Sequence, residues 1–290
     1  MGTAAAAHFA SAGHDVVRIV RGHAGGPGTA AWNPATGELD AAGLGAVDIV
    51  IHLAGENVAS GRWTSTRKQA IADSRGPVTE RLCRRLAALD PKPTVLVSSS
   101  AIGFYGNRGD EWLDEGSAPG TGFLVDVVRD WEAATRPATD AGIRVVILRT
   151  GMVLDPHGGA LRRMVLPFRL GLGGRLGHGR QWLSWIALED LVRAIAFVID
   201  HAQLAGPVLA VSPQPVTNRE FTRALGRALH RPTVLPVPAF ALRLMFGDMA
   251  TELLLASQRA RPSRLLEAGF VFAEPQLAMC LQRQLAASGR

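Results

Sequence analysis

Short apolar runs alternate with longer helix-prone stretches through the first half of the chain, and this alternation limits the folds that the chain can adopt. The four clearest runs are residues 16–20, 47–53, 94–98 and 145–148. Near-continuous apolar strands that are separated by helices indicate a parallel sheet buried on both faces. The predicted fold class is therefore α/β, with a doubly wound parallel sheet.

The pattern changes after Gly151, where a glycine-rich stretch and a series of prolines follow. A chain of 290 residues suits one large α/β domain with an appendage or two small domains. We predict a first domain over residues 1–165 and a smaller α+β subdomain, on the substrate side, over residues 166–290. A later strand and helix around residues 182–211 are expected to return to the first domain.

Composition argues against several classes of function. The net charge is +6, but the 31 basic residues are spread along the whole chain, which does not favour a nucleic-acid-binding face. Two cysteines do not make a disulfide scaffold, and there is neither a long apolar span nor a signal-like start. The histidine and cysteine spacings match no metal motif. We expect a cytoplasmic monomer or homodimer that binds a small molecule, with no metal, membrane or nucleic-acid partner.

Suggestive residues follow the predicted strands, and ligands of doubly wound sheets bind outside the carboxyl ends of the strands. The small residues Ala54 and Gly55 either let a dinucleotide approach the backbone or form an ordinary tight turn. The hydroxyls of residues 98–100 need partners, which are either backbone groups or a nicotinamide and a substrate carbonyl. Arg149 serves a ligand or a neighbouring acid, and Arg21 either meets a 2′-phosphate or is a solvated surface residue.

Several long motifs along the chain resemble those of one family. They resemble the epimerase-like subgroup of atypical, extended short-chain dehydrogenase/reductases, which carries an extra C-terminal domain of unknown function. The resemblance covers essentially the whole chain. The matching segments are residues 52–57 (HLAGEN), 61–64 (GRWT), 73–75 (DSR), 99–106 (SSAIGFYG), 131–132 (WE), 148–151 (LRTG), 167–174, 184–186 (SWI) and 221–232.

This resemblance implies a Rossmann-type domain with NADP(H) as its cofactor. Arg21 would meet the 2′-phosphate, Ser100 would take the place of the catalytic serine, and residues 151–154 would pass near the nicotinamide. The residues that the resemblance places at the cofactor are Gly2, Arg21, Leu53, Ala54, Gly55, Ser98, Ser99, Gly151, Met152 and Val153.

The chain departs from the usual catalytic pattern, because the tyrosine and lysine of a Tyr-x-x-x-Lys pair would fall at Leu124 and Val128. Tyr105 is the only tyrosine, and neither lysine follows it at that spacing. Tyr105 is then the remaining candidate for a proton donor, or else a structural residue. Two functions stay open: an NADP(H)-dependent oxidoreductase or epimerase, and a cofactor-binding sensor or scaffold without turnover.

The start of the chain is a further departure. A Rossmann domain opens with a strand and a glycine-rich turn before its first helix, whereas this sequence enters the helix at once, and Gly2 fits the last glycine of that turn. Either the true start lies upstream, or another segment or a partner takes the place of the strand. We expect the sequence as given to bind NADP(H) poorly and to be less stable than an extended form.

Overall fold

The computed structural model describes residues 1–23 and 25–287. Its strands are β1 (Arg18–Arg21), β2 (Thr29–Asn33), β3 (Glu38–Leu39), β4 (Ile49–His52), β5 (Val95–Ala101), β6 (Trp112–Leu113), β7 (Arg144–Thr150), β8 (Met152–Leu154), β9 (Trp182–Leu183), β10 (Trp185–Ala187), β11 (Gly206–Ala210), β12 (Val216–Thr217) and β13 (Arg259–Ala260).

Helices separate most of these strands. They are α1 (Gly2–Ser11), α2 (Ala41–Leu44), α3 (Ser65–Asp73), α4 (Gly76–Ala87), α5 (Phe123–Ala133), α6 (Arg136–Asp140), α7 (Gly159–Arg169), α8 (Leu188–Asp200), α9 (Asn218–Ala228), α10 (Ala239–Phe246), α11 (Ser263–Glu267) and α12 (Leu277–Ala287), with a 3-10 turn at Ile102–Tyr105 and a π-helical turn at Ala250–Leu254. No helix among the described residues is long and apolar enough to span a membrane.

A four-stranded parallel sheet lies at the centre, in the order β11-β7-β5-β4. One face packs on α1 and α8 through residues such as Phe9, Val97 and Ile195. The other face packs on α4 and α6 through Leu82 and Ala138. The predicted α/β class with a Rossmann-type parallel sheet is confirmed, and its apolar strands follow from burial on both faces.

The strand that follows α1 does not join this sheet. β1 pairs with β2, which pairs with β3, and these form a separate three-stranded sheet. β4 is the outermost strand of the central sheet, so β1 and β4 each present an edge that no strand among the described residues pairs with. Both strands line one cavity of about 1300 Å³, which lies between the two sheets.

The chain after residue 151 packs against the sheet and also builds its own core. β11 pairs with β7, and β10 pairs with β8, so the segment over 182–211 lies beside the first part of the chain. A second core joins α7, α9 and α12 through Leu161, Phe221 and Leu281. The division of the chain at residue 165 stays a prediction.

Both cysteines, Cys83 and Cys280, are buried and free, and burial raises the pKa of each thiol to about 12.

Asp190 anchors the segment before α12 to the first turn of α8. Its carboxylate is completely buried and accepts hydrogen bonds from the backbone N–H groups of Ala273 and Glu274, both at 2.8 Å. Arg193 donates to the same carboxylate at 2.9 Å. A buried charge is tolerated here because three donors replace its water.

We expect Asp190→Ala to lower the free energy of unfolding by about 2 kcal/mol, because it leaves the buried backbone N–H of Glu274, and that of Ala273 beside it, without an acceptor. Urea unfolding of both proteins measures the change. Asp200→Ala, at the exposed end of the same helix, is the matched control and should have little effect. Equal losses of unfolding free energy in the two variants would contradict the anchoring role of Asp190.

Candidate functional site

The cavity beside β4 brings together four of the residues expected at the cofactor. Gly2 at the start of α1, Arg21 at the end of β1, and Leu53 and Ala54 just after β4 all line it. The first N–H groups of α1 have no partner within the helix, so this end of the cavity favours negative charge. Arg21 is exposed and adds a positive charge to the same wall.

The serines expected at the site end β5, next to β4 and β7. Ser98 lies opposite His52 of β4, and Ser100 lies opposite Arg149 of β7. The hydroxyl of Ser98 is buried and has no hydrogen-bond partner among the described residues. A buried polar atom without a partner is unusual in a folded protein, so the Ser98 hydroxyl is an unsatisfied polar group at this strand end.

Ser100 has a partner that sequence analysis did not assign. Its hydroxyl donates to Oε1 of Glu132 on α5 at 2.6 Å. The same carboxylate is held by Arg149, which donates from Nε at 2.8 Å and from Nη2 at 2.8 Å. The Arg149 side chain is 4% exposed and that of Glu132 11%, so this bidentate ion pair is almost fully withdrawn from water.

Arg149 therefore serves a neighbouring acid, which was one of the two roles open to it. Its guanidinium also lies 3.5 Å from the centre of the Phe104 ring, and Nη1 donates to the hydroxyl of Tyr105 at 3.0 Å. The sequence signal for its partner was the Trp131–Glu132 motif. That motif carries a family resemblance only, and nothing in the sequence shows that Glu132 faces the end of β7.

Tyr105 is enclosed rather than exposed to a ligand. The residue is 0% exposed, and its hydroxyl donates to the carbonyl of Asp114 at 2.8 Å while accepting from Arg149. Burial raises its pKa to about 12. These surroundings differ from what a proton donor requires, because a catalytic acid needs contact with the substrate and a pKa nearer neutrality.

The segment after β7 has a packing requirement of its own. A Cβ on Gly151 would lie 2.5 Å from the carbonyl oxygen of Ser184, so glycine is needed where the two backbones pass. Met152 and Val153 belong to β8, are partly buried and pack against the two cores. These three residues do not line the cavity beside β4.

The turn after β4 is held by an arginine. Arg75 is 9% exposed, donates to the carbonyl of Glu56 at 2.8 Å and lies 5.1 Å from the Trp131 ring centre. Burial lowers its pKa to about 10. Its guanidinium would be 3.5 Å from a Cβ on Gly55, so this glycine lies directly against it. In the sequence Arg75 is part of the motif at residues 73–75, and the motif does not reveal its contact with this turn.

No group of three or more histidine, cysteine, aspartate or glutamate side chains that could hold a metal occurs among residues 1–23 and 25–287. The polar groups of the site are thus hydroxyls, the Arg149–Glu132 pair, the start of α1 and Arg21. Such a set can bind and orient an anionic ligand or a carbonyl compound.

The parallel sheet, its two helical layers and the site at the strand ends define a Rossmann-type α/β protein. A model of the NAD dependent epimerase/dehydratase family matches residues 1–211, and a model of a domain of unknown function (DUF1731) matches residues 237–284. The chain belongs to the NAD dependent epimerase/dehydratase family. The predicted resemblance to its epimerase-like subgroup with an extra C-terminal domain is confirmed.

Similar proteins occur in distant organisms. An epimerase family protein of Mycobacterium tuberculosis is 50% identical over 272 residues, which are 94% of this chain and 90% of that protein. A crystal structure of human epimerase family protein SDR39U1 with NADPH has a TM-score of 0.90 and 31% identity, covering 98% of this chain and 95% of that one. A nucleoside-diphosphate sugar epimerase from Corynebacterium glutamicum has a TM-score of 0.80 and 35% identity, covering 99% of this chain and 56% of that one.

We expect Arg149→Met to lower the free energy of unfolding by about 3–5 kcal/mol, because it leaves the Glu132 carboxylate buried without its partner. The double variant Arg149→Met/Glu132→Gln should lose less than the sum of the two single variants. Urea unfolding of the unchanged protein, the two single variants and the double variant gives the coupling free energy between Arg149 and Glu132. The exposed pair Arg84 and Glu80 is the control, with an expected coupling of about 0.3–0.5 kcal/mol. If the coupling free energy between Arg149 and Glu132 is no larger than that of the exposed control pair, the buried pair is not the anchor of this site.

Proposed function

We propose that the protein is an NADP(H)-binding oxidoreductase or epimerase-like enzyme that acts on a small carbonyl or sugar-type substrate. The observation that carries the proposal is the cavity in which Gly2, Arg21, Leu53 and Ala54 meet, one strand away from Ser98. The NADPH in the structure of the human relative supports the choice of cofactor. The bound cofactor would supply or accept a hydride.

The residues present fit such a cofactor. The start of α1 favours a pyrophosphate, and the small side chains after β4 let a dinucleotide lie close to the backbone. Arg21 is exposed and its guanidinium has no hydrogen-bond or ion-pair partner among the described residues, so this group is free for a 2′-phosphate. In this proposal a small movement of β5 would bring the buried hydroxyl of Ser98, which has no partner among the described residues, into contact with the cofactor. In this proposal Ser99 and residues 151–153 complete the surroundings of the cofactor.

On the substrate side, the proposal gives Ser100 the role of orienting a carbonyl or hydroxyl group. Glu132 accepts the hydrogen bond that the Ser100 hydroxyl donates, so the serine oxygen can accept a hydrogen bond from a substrate hydroxyl. To donate to a substrate carbonyl, the Ser100 hydroxyl would turn away from Glu132. Tyr105 fits a positioning role better than that of a proton donor, because its hydroxyl is fully enclosed and holds Arg149. With no Tyr-x-x-x-Lys pair in the chain, proton transfer requires another donor.

A second candidate function is a cofactor-binding sensor or scaffold without turnover. The observation that favours it is that the hydroxyls of Ser100 and Tyr105 both take part in buried hydrogen bonds. Under either function, we propose a cytoplasmic monomer or homodimer whose partner is a small molecule. Two free, buried cysteines are compatible with a reducing compartment.

We expect NADPH to bind more tightly than NADH by on the order of ten- to hundredfold, because the 2′-phosphate gains a charge-assisted hydrogen bond from Arg21. Arg21→Ala should reduce this difference in affinity, and calorimetric titration with NADPH and with NADH measures it. Arg227→Ala is the control, because it removes an arginine of α9 that does not line the cavity, and it should leave the difference in affinity unchanged. Equal affinities in the unchanged protein would refute the role of Arg21.

Catalysis has a separate test. We expect weak or no oxidation of NADPH with standard short-chain dehydrogenase substrates, because the usual tyrosine acid is missing. Absorbance at the NADPH band with a panel of small carbonyl compounds measures turnover, while quenching of protein fluorescence measures binding. Binding without turnover would favour the sensor. Robust turnover that survives both Ser100→Ala and Tyr105→Phe would show that the reacting groups lie elsewhere.

A further inference from the structure

Arginines recur at every fourth position along α9 and the turn that follows it. They are Arg219, Arg223, Arg227 and Arg231. Residues four apart lie on the same face of a helix, so like charges at this spacing repel one another. The first three arginines are exposed, and their guanidinium groups have neither a hydrogen-bond nor an ion-pair partner among the described residues. The helix therefore presents a row of uncompensated positive charge.

The position of this charge is unfavourable for the helix itself. Arg219 lies in the first turn of α9, where the helix dipole favours acidic residues. Glu220, the acidic residue of this helix, is engaged elsewhere, because its carboxylate accepts hydrogen bonds from the N–H and the hydroxyl of Thr217 at 2.7 and 2.8 Å. Residues that violate a local rule without a compensating contact are expected at functional sites.

A further arginine reaches the start of α9 from the loop before β9. A Cβ on Gly179 would lie 3.2 Å from Cδ of Arg175 and 3.4 Å from Cβ of Arg219, so both side chains pass against this glycine. Nη1 of Arg175 donates to the carbonyls of Gly177 and His178 at 3.2 and 2.9 Å. These bonds hold the guanidinium in place and leave its Nε and Nη2 without a partner in the described part of the chain.

Two neighbouring open cavities lie among these side chains. The first has a volume of about 250 Å³ and is lined by Arg175, Arg219, Thr222, Arg223 and Thr233. The second, of about 460 Å³, shares Arg223 and Thr233 and is also lined by Gly226, Arg227, His230, Arg231 and Pro232. No aspartate or glutamate of residues 1–23 and 25–287 lines either cavity. Thr222 is 3% exposed, and its hydroxyl has no hydrogen-bond partner among those residues.

We propose that these two cavities, called here the arginine cleft, bind the diphosphate group of a small molecule, with one phosphate in each cavity and Arg223 between them. A guanidinium donates two parallel hydrogen bonds to a phosphate, and the anion would also remove the repulsion between the arginines. The first cavity is below the range of about 300–1,000 Å³ that is usual for ligand pockets, so it suits a single compact group.

The arginine cleft is separate from the site proposed for the cofactor. None of the residues that line the cleft lines the cavity beside β4. The proposal therefore does not rest on NADP(H) binding, and either one can fail without the other.

Calorimetric titration with inorganic pyrophosphate, in a phosphate-free buffer of about 50 mM ionic strength, tests the proposal. We expect pyrophosphate to bind at least about tenfold more tightly than orthophosphate or sulfate, because only pyrophosphate reaches both cavities. Arg223→Gln should weaken pyrophosphate binding by about ten- to hundredfold, since it removes charge-assisted hydrogen bonds. Arg129→Gln, which removes an exposed arginine of α5 outside the cleft, is the matched control and should bind as the unchanged protein does.

The melting temperature separates the loss of binding from a loss of folding. Without ligand, Arg223→Gln should melt no lower than the unchanged protein, because the substitution removes a repelling charge. When pyrophosphate exceeds its Kd about a hundredfold, the unchanged protein should melt about 5 °C higher and the variant should gain less. Hydrogen exchange measured by mass spectrometry should slow in residues 175–181 and 217–233.

Several results would overturn the proposal. One is equal affinity for pyrophosphate in Arg223→Gln and Arg129→Gln, and another is sulfate binding as tight as that of pyrophosphate, which would mark general attraction of anions. Slowed exchange in residues 1–11 and 52–56 instead of the cleft would place pyrophosphate in the cavity beside β4. Binding of a single-stranded oligonucleotide that pyrophosphate does not displace would assign the cleft to nucleic acid.

Discussion

The buried pair of Arg149 and Glu132 determines how the carboxyl end of the central sheet is arranged. Arg149 ends β7 and Glu132 lies on α5, while Ser100 of β5 and Tyr105 of the following turn bond to the same two side chains. Removing either charge leaves the other buried, so the strands, the helix and the turn must keep their positions together. The ion pair is thus both a structural anchor and the wall of the proposed substrate side.

Much of the fold could be predicted from the sequence, because strands buried on both faces must be apolar. The run at residues 47–53 became β4 and that at 145–148 became part of β7. The two-residue strands β6 and β13 could not be predicted in the same way, because tertiary pairing and not local pattern forms them. The pairing of β1 with β2 in a separate sheet also depends on contacts that no local pattern encodes.

Part of the candidate site could also be predicted from the sequence. Strand ends identified Ala54 and Ser98, since carboxyl ends of parallel strands meet at one edge of the sheet. The bonds of Ser100 to Glu132 and of Tyr105 to Asp114 join segments distant in the sequence, and residue type alone does not reveal them. Gly151 appeared to be a cofactor residue, whereas its small size is also required by the backbone of Ser184.

The two buried cysteines make the protein a convenient object for site-directed labelling. Thiols react as thiolates, and a pKa of about 12 leaves Cys83 and Cys280 protonated near neutral pH. A cysteine introduced on the surface would therefore be modified selectively, without first replacing the native ones. Pairs of spectroscopic probes placed on either side of a cleft in this protein can thus report changes in its width directly in solution.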